Sequence, residues 1–519
     1  MNSLFTRETR WRVSTLALFA LIPASTFAQT PQTFRVTQWN VTNFGSQVTG
    51  TNPDRTVAFQ TAIYGTNPAN GLKMAPDVFI GQEFISAASV TAFKNLLNAA
   101  PGSPGDWQAA PWTAGNESVP DTNTAFFYRT SKFDFVRIVL VGQGSTSTTN
   151  QPRNTYRYDI KPKGFINDVP VLSCYSTHLK AQGGTNDALR RQVETGRIRA
   201  NANTLTDPNS FILIGGDFNI TTSSALEYQN MVGSQTGTNG NVGRFYDPIN
   251  TPGSWNNNFA YRFVHTQEPA SQMDDRHDQI LLGSKLLDNV GFEYVYNGGL
   301  INNFTPLPYS TSTWNDLNHS YRCWGNDGTT YNVPIKTAGN TEVGPTIAQA
   351  LINTVQGNGH LPVFLDLRLP IPYVRVSGNV VLQEWSKPGE TVTFQFRPLD
   401  GLPTLTRTQT IPADGSFNFT DIPVGNYTLS VKGRKWLRQN VAFNGSVQNV
   451  SGLSFLLLAG DINGDNAIDF GDLSQLLQVY NALVGDTLYD EVSDLNGDGG
   501  IDFGDLSTML QNYNALGDE

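Results

Sequence analysis

The chain has 519 residues, a formal net charge of −10 and only two cysteines. Length predicts about three domains at ~150 residues each, and two cysteines exclude a disulfide framework while leaving room for one bridge. The acidity sits in the tail: from Gly460 onward there are 11 Asp, 2 Glu and no Lys or Arg, so the body from Gln29 to Ala459 is nearly neutral, which neither requires nor forbids a polyanionic partner.

At the N terminus, Arg7, Arg10 and Arg12 precede the apolar run LALFALIPASTFA, which closes on small residues at Thr26 and Ala28. This is the pattern of a secretory signal peptide over residues 1–28, and the expectation is a secreted protein, extracellular or periplasmic, whose mature chain starts near Gln29. No later run reaches the ~18 apolar residues of a membrane span.

Residues 29–370 form the first expected domain. Short runs rich in Val, Ile and Phe alternate with helical or Gly/Asn/Thr-rich connections, an α/β pattern. Polar side chains punctuate the ends of these runs. FRVTQWNV presents Asn40, DVFIGQE ends on Glu83 and VLSCYSTH ends on His178. FILIGGDFN ends on Asp217 and Asn219, which share a face because residues i and i+2 of a strand do. MDDRHDQILLG puts Asp278 at the start of a strand, and GNGHLPVFLDL puts His360 just before one. If these runs are neighbours, the polar groups collect on one rim of a rigid scaffold, the ordinary place for chemistry. Taken singly, each has a plainer role: Asn40 in a turn, Glu83 capping a helix, His178 in the core. His265, His277 and His319 are assigned structural roles, and Cys174, mid-strand, the role of a small buried residue. Arg153, Arg157, Lys161 and Lys163, then Arg190, Arg191, Arg197 and Arg199, form two local basic clusters. Solvated loop and helix faces explain these as well as anion binding does.

LPIPYV, with two prolines, reads as a linker. Beyond it VRVSGNVVL, TVTFQFRP, GSFNFTDIP and GNYTLSVKG alternate apolar and polar residues with turns between them, which predicts a small all-β sandwich over 371–457. Residues 458–519 hold two near copies, DINGDNAIDFGDLSQLLQVYNAL and DLNGDGGIDFGDLSTMLQNYNAL. Each places oxygen ligands at positions 1, 3, 5, 9 and 12 of a twelve-residue loop: Asp461, Asn463, Asp465, Asp469 and Asp472, then Asp494, Asn496, Asp498, Asp502 and Asp505. That spacing surrounds a hard cation, here Ca2+. After each loop, Leu473, Leu476, Leu477, Tyr480 and Leu506, Met509, Leu510, Tyr513 recur at helical period, predicting a small α-helical calcium-loop domain.

The ordered series QWNV, GQE, STHLKA, GGDFN, HDQIL and GHLPV resembles the endonuclease/exonuclease/phosphatase superfamily, the deoxyribonuclease I-like enzymes, over roughly residues 33–370. The resemblance implies an α/β four-layer sandwich of two packed mixed β-sheets flanked by helices, and hydrolysis of phosphodiesters by in-line attack of water with a divalent cation, Mg2+ or Mn2+. By position, Asn40 and Glu83 would bind the cation and His360 would be the general base, supported by Asp278. His178 and Asn219 would donate to the phosphorane oxygens, and Asp217 would orient the nucleophile or leaving group. Lys180 and Arg190 would hold flanking phosphates of a nucleic acid. Gly359 departs from the pattern, since most members have Asp before the final His; Asn358, Asp316 and Asp327 are the candidate replacements.

GSFNFTDIPVGNYTLSV resembles the carboxypeptidase regulatory-like module, a spacer without catalysis. The duplicated loop resembles dockerin modules, which implies a cohesin-like or cell-surface protein partner, although Phe470-Gly471 and Phe503-Gly504 replace the usual small hydroxylated or charged residues at loop positions 10 and 11. The function implied first is a secreted endonuclease on DNA or RNA. One alternative is a sphingomyelinase-like phosphodiesterase acting on phospholipid head groups, for which GSWNNNFAYRF at Gly253–Phe263 would supply an exposed aromatic hairpin. Another is a catalytically inactive surface-binding scaffold.

Overall fold

The computed structural model describes residues 31–45, 55–115, 123–144, 153–355, 359–385 and 387–519. The expected signal peptide and Asn358 lie outside the described residues. Two compact units divide the chain, the first ending at Pro372 and the second running Tyr373–Glu519.

The strands of the first unit are, in chain order, β1 (Thr33–Phe44), β2 (Val78–Phe84), β3 (Trp107–Ala109), β4 (Thr124–Arg129), β5 (Phe133–Gly142), β6 (Thr155–Pro162) and β7 (Val171–His178). They continue as β8 (Ser210–Asp217), β9 (Phe245–Tyr246), β10 (Asp278–Gly283), β11 (Glu293–Tyr294), β12 (Arg322–Cys323) and β13 (Val363–Arg368). The helices are α1 (Thr56–Tyr64), α2 (Ala87–Ala99), α3 (Thr185–Ala202), α4 (Leu226–Val232) and α5 (Gly344–Thr354).

Sheet one has the order β11-β13-β1-β2-β4-β3, with β12 also on β13; sheet two has the order β5-β6-β7-β8-β10-β9. Each contains one parallel pair, β1 with β2 and β7 with β8, among antiparallel neighbours. Both sheets are thus mixed. Val36, Ile80 and Phe126 of sheet one meet Tyr158, Leu213 and Ile280 of sheet two in one buried cluster, with the Phe126 and Tyr158 rings stacked at 4.8 Å. The outward residues Trp39, Phe79 and Phe127 pack on Phe59, Phe93, Ile347 and Leu351 of α1, α2 and α5. On the far side Tyr175, Ile212 and Ile214 pack on Ile198, Tyr228 and Met231 of α3 and α4. Alternation along each strand therefore feeds two cores at once, and the layers run helix, sheet, sheet, helix.

Several local expectations meet their outcome here. Cys174 and Cys323 are both buried and free. Gly253–Phe263 is no aromatic hairpin: it contains a 3-10 turn at Phe259–Tyr261, Trp255 and Phe263 are buried, and only Phe259 of its aromatic rings is largely exposed, at 58%. The polar side chains that could have made it flexible are used as anchors, with Tyr261 Oη donating to the Pro252 carbonyl and Trp255 Nε1 to the Thr251 carbonyl.

The second unit contains β14 (Tyr373–Leu382), β15 (Thr391–Pro398), β16 (Leu405–Thr410), β17 (Ser416–Pro423), β18 (Asn426–Gly433), β19 (Gln439–Asn444) and β20 (Val450–Leu457), in sheets β17-β14-β20 and β16-β15-β18-β19. Phe394 and Phe396 of one sheet meet Phe417 and Phe419 of the other at 4.9–5.4 Å. Two short helices follow, α6 (Phe470–Gln478) and α7 (Phe503–Gln511). Each begins with a capping box in which the loop's own carboxylates act: Asp469 with Asp472, and Asp502 with Asp505. The predicted helical stripe is split. Leu476 and Met509 are buried, Leu477 and Leu510 are exposed, and Tyr480 and Tyr513 lie beyond the last helical residues. The sandwich grips both loops through one turn: Lys432 Nζ donates to the Asp461 carboxylate and Lys435 Nζ to the Asp494 carbonyl.

A buried ion pair anchors the loop ahead of β10. The fully buried Arg276 guanidinium donates from Nη1 and Nη2 to the Asp247 carboxylate, both at 3.0 Å, and lies over the Trp255 ring. Removing one partner leaves the other charge uncompensated, so Arg276→Met is expected to destabilise the first unit by about 3–5 kcal/mol. Urea unfolding measures this, and an unchanged midpoint would contradict it.

Candidate active site

Strand register assembles half of the site. His178, the last residue of β7, pairs with Asp217, the last of β8, and Asp217 pairs with Asp278, the first of β10. Three chemically able side chains thus stand on one rung at one edge of sheet two. Sheet one supplies the other half from the end of its own parallel pair, where Asn40 pairs with Gln82 and Glu83 follows. His360 enters just before β13. All of these except Glu83, which is partly exposed, are buried.

Backbone strain marks the sheet-one half. Thr42, Asn43 and Glu83 have φ of 51°, 50° and 65°, and Asn219 in the other half has φ 48°. Left-handed backbone is easy for Asn and costs more for Glu and Thr. The hydrogen bonds that hold it are on both sides of the Glu83 carboxylate: Asn43 N donates to Oε2 at 2.9 Å and Asn40 Nδ2 to Oε1 at 2.8 Å. Asn40 Nδ2 also donates to Asp217 Oδ2 at 3.1 Å, while its Oδ1 accepts from Thr42 N. One amide therefore bridges the two sheets by holding a carboxylate of each.

The residues fit a divalent cation. Glu83, Asp217 and His360 each bring a ligand atom to within 4.8 Å of the others. Two carboxylates so placed repel each other, and hard oxygen donors of this kind suit Mg2+ or Mn2+. Asn40 presents its Nδ2 to both carboxylates, so in this arrangement it spaces them, and the oxygen ligands for a cation would come from Glu83 and Asp217.

His360 Nδ1 and Asp278 Oδ2 are 2.7 Å apart, and His360 Nε2 is 3.6 Å from Asp217 Oδ2. Burial alone would lower the imidazole's pKa; the charges of Asp278 and Asp217, the hydrogen bond to Asp278 and the charge of Glu83 reverse this and push it up to about 10. His178 Nε2 lies 3.4 Å from Asp217 Oδ2 and 4.0 Å from Glu83 Oε1. Two imidazoles thus face one carboxylate, with Nε2 of each pointed to the same oxygen. Such a set can hold a cation, take a proton from water and donate hydrogen bonds to an anion.

Other expected residues sit differently. Asn219 donates its Nδ2 to the Leu179 carbonyl at 3.1 Å, and its backbone N to Asp217 Oδ1; it braces Asp217 where sequence reasoning gave it a phosphate. Lys180 and Arg190 both turn to Asp187, at 3.4 and 3.2 Å, so the two cations share one carboxylate. The basic clusters are largely spent on structure: Arg157 pairs with Asp159, Arg191 with Glu227, and Arg199 donates to the Met231 and Gly233 carbonyls. His265 Nε2 meets the Trp255 carbonyl and His319 Nδ1 the Tyr294 hydroxyl, while the His277 carbonyl accepts from Phe218 N.

Neither described replacement for the missing Asp belongs to the cluster. Asp316 accepts from Ser310 N and Asn318 N, and Asp327 from Thr329 N and Thr341 N; both close their own loops. Position 359 has no room for a side chain, since a Cβ there would lie 2.1 Å from Val355 Cγ1.

Sequence reasoning missed a supporting set. Gln38 donates to Asp278, Thr266 Oγ1 donates to Asp278 Oδ2 at 2.7 Å, the Trp39 indole donates to the His360 carbonyl, and Arg153 donates to the carbonyls of His178 and Leu179. The signal for Gln38 was present, two residues before Asn40 on the same strand. Thr266 and Arg153 reach the site from loops and carry no such signal.

No family model matches the chain, and no curated protein matches it. Among solved structures it is similar to an endonuclease/exonuclease/phosphatase family protein from Bacteroides thetaiotaomicron at 15% identity, over 66% of this chain and 99% of that one, with a TM-score of 0.35. It is similar to the human Nocturnin catalytic domain at 14% identity, over 65% and 97%, with a TM-score of 0.36. A cohesin–X-dockerin complex from Acetivibrio cellulolyticus is matched at 25% identity over 28% of this chain and 97% of that one, with a TM-score of 0.23.

The charge arrangement around His360 is measurable. Its folded pKa lies above the 6.5 of a free imidazole, so the stability it contributes is complete below pH 6.5 and is lost as the pH rises through about 10. Asp278→Asn removes the largest attraction on its proton. The stability gap between wild type and Asp278→Asn is therefore expected to narrow as urea unfolding of the first unit is followed from pH 6.5 to 10. A gap constant over that range would contradict the assignment.

Proposed function

We propose that the first unit is a divalent-metal-dependent hydrolase of phosphoric esters, acting on phosphodiesters by in-line attack of water. The observation that carries this is the buried cluster in which Glu83, Asp217 and His360 converge within 4.8 Å with Asp278 behind His360 and His178 facing Asp217. Phosphodiesters resist attack because their charge repels nucleophiles, so a catalyst needs positive charge at the phosphoryl oxygens and a base for water. The bound cation supplies the first. In this reading Glu83 and Asp217 hold it, with Asn40 spacing their oxygens. His360, held in orientation by Asp278, would take the proton of the attacking water, a role open to it once a cation on Glu83 and Asp217 offsets the carboxylate charges that hold its imidazole protonated. His178 donates from Nε2 to the phosphoryl group, and Asn219 keeps Asp217 in place.

Nucleic acid is the proposed substrate, and the reaction endonucleolytic. Lipid head groups lose their best support, because Gly253–Phe263 packs its Trp and most of its other aromatic rings into the protein. An inactive scaffold is disfavoured by the price of burying four carboxyl and imidazole groups together, which a binding platform would have no reason to keep. The proposed setting is a secreted protein.

For the tail we propose two Ca2+ loops and a protein partner of cohesin-like kind. Support comes from the duplicated geometry, in which Asp472 and Asp505 are buried and receive matching backbone donors, and from Phe470 and Phe503, exposed at 70% and 72% at equivalent places.

Two outcomes are expected. Plasmid DNA incubated with the full chain and Mg2+ is nicked, the nicking stops in EDTA, and His360→Ala lowers kcat by roughly 10²–10⁴-fold, the range for loss of an acid–base group; cleavage of sphingomyelin alone, or nicking that survives EDTA, would contradict this reading. Calorimetric titration of the full chain with Ca2+ shows uptake that Asp461→Ala with Asp494→Ala abolishes. Uptake unaffected by that pair would overturn the loop assignment.

A further inference from the structure

Between the two sheets, beneath the cluster, a chain of buried polar side chains interrupts the apolar packing. Gln38 Nε2 donates to Gln82 Oε1 at 2.7 Å and to Asp278 Oδ1 at 3.1 Å, and Gln82 Nε2 reaches Ser176 Oγ at 3.5 Å. Gln38, Gln82, Ser176 and Asp278 are all fully buried. The chain crosses from β1 and β2 of sheet one to β7 and β10 of sheet two. Burying two amides among Val36, Ile80, Leu213 and Ile280 costs free energy that an apolar pair would avoid, and the fold makes space for it. Gly215 on β8 carries no side chain where a Cβ would lie 3.1 Å from Gln38 Cβ and 3.0 Å from Ile80 Cδ1.

The Gln38 amide oxygen has no hydrogen-bond partner among the described residues, so the amide is held through its nitrogen. Both hydrogens of the Gln38 amide nitrogen are taken, by Gln82 and by Asp278, so the amide cannot turn over without losing both bonds. The Thr266 hydroxyl accepts from Asp278 N at 3.1 Å and therefore directs its hydrogen to Asp278 Oδ2. Asp278 is thereby held at Oδ1 from sheet one and at Oδ2 from its own neighbourhood, and the carboxylate plane that receives His360 Nδ1 is fixed.

We propose that Gln38 is a positioning residue for the hydrolysis: a strut across the sheets that fixes the Asp278 carboxylate, and through it the direction in which His360 Nε2 faces the attacking water. This rests on the phosphoester-hydrolase reading. Outer supports of this kind typically contribute about 10–100-fold in activity, and the effect falls on kcat because Gln38 touches no substrate.

The test uses the full chain with Mg2+ and bis(p-nitrophenyl) phosphate, with the downfield proton of His360 Nδ1 followed by NMR and identified by its loss in His360→Gln. Gln38→Leu is expected to lower kcat by about 10–100-fold at unchanged KM and to shift the Nδ1 proton. Gln38→Leu with Gln82→Leu removes the amide stranded by the first change, so it is expected to regain thermal stability without regaining kcat. A merely structural role would return both together, and that result overturns the proposal, as does an unshifted Nδ1 proton in Gln38→Leu. If wild type hydrolyses no phosphoester, the functional reading fails while the Nδ1 resonance still decides whether Gln38 sets the pair.

Discussion

The closure of two sheets against each other is the constraint on which the site depends. Sheet one brings Asn40, Glu83 and His360, and sheet two brings His178, Asp217 and Asp278. Neither half is a site alone. The 2.7 Å contact between His360 and Asp278 and the Asn40 amide shared by Glu83 and Asp217 both cross the seam. Apolar burial between the sheets supplies the force that holds two carboxylates near each other, and the same burial makes their charge felt by His360. Folding and chemistry are coupled through that one interface.

The seam also explains why the strained positions fall where they do. Strands pair with a fixed register, and a residue that must turn out of the ladder to face the opposite sheet has to leave regular β geometry. Glu83 does so at φ 65° immediately after the paired Gln82, while Asn219, at φ 48° two residues past the end of β8, turns back to the Leu179 carbonyl on its own sheet's side and braces Asp217. The structure around them over-determines both positions, as backbone strain at a site requires.

Much of the scaffold was legible in the chain because strand-forming runs carry their own period. The ends of FILIGGD and VLSCYSTH announced Asp217 and His178, and the register then placed them on one rung with Asp278. What was not legible was charge accounting. Lys180 and Arg190 look like phosphate binders in sequence, but both face Asp187, a pairing that depends on how the start of α3 folds back on the loop before it. Asn219 likewise looked like a donor to substrate until its amide met the Leu179 carbonyl forty residues earlier. Loop contributions such as Thr266 and Arg153 follow no period and emerge only from tertiary packing. In the second unit the duplicated loops were plain from ligand spacing, whereas the lysines that grip them, Lys432 and Lys435, come from the sandwich and had no sequence mark.

The proposed divalent cation would sit on the seam, held by one carboxylate from each sheet. Anomalous diffraction from crystals grown with Mn2+ tests it most directly. The expected result is a peak within coordination distance of both Glu83 and Asp217, beside His360. Bound manganese in the tail loops with no density at the seam, or a seam peak that touches carboxylates of one sheet alone, would contradict it.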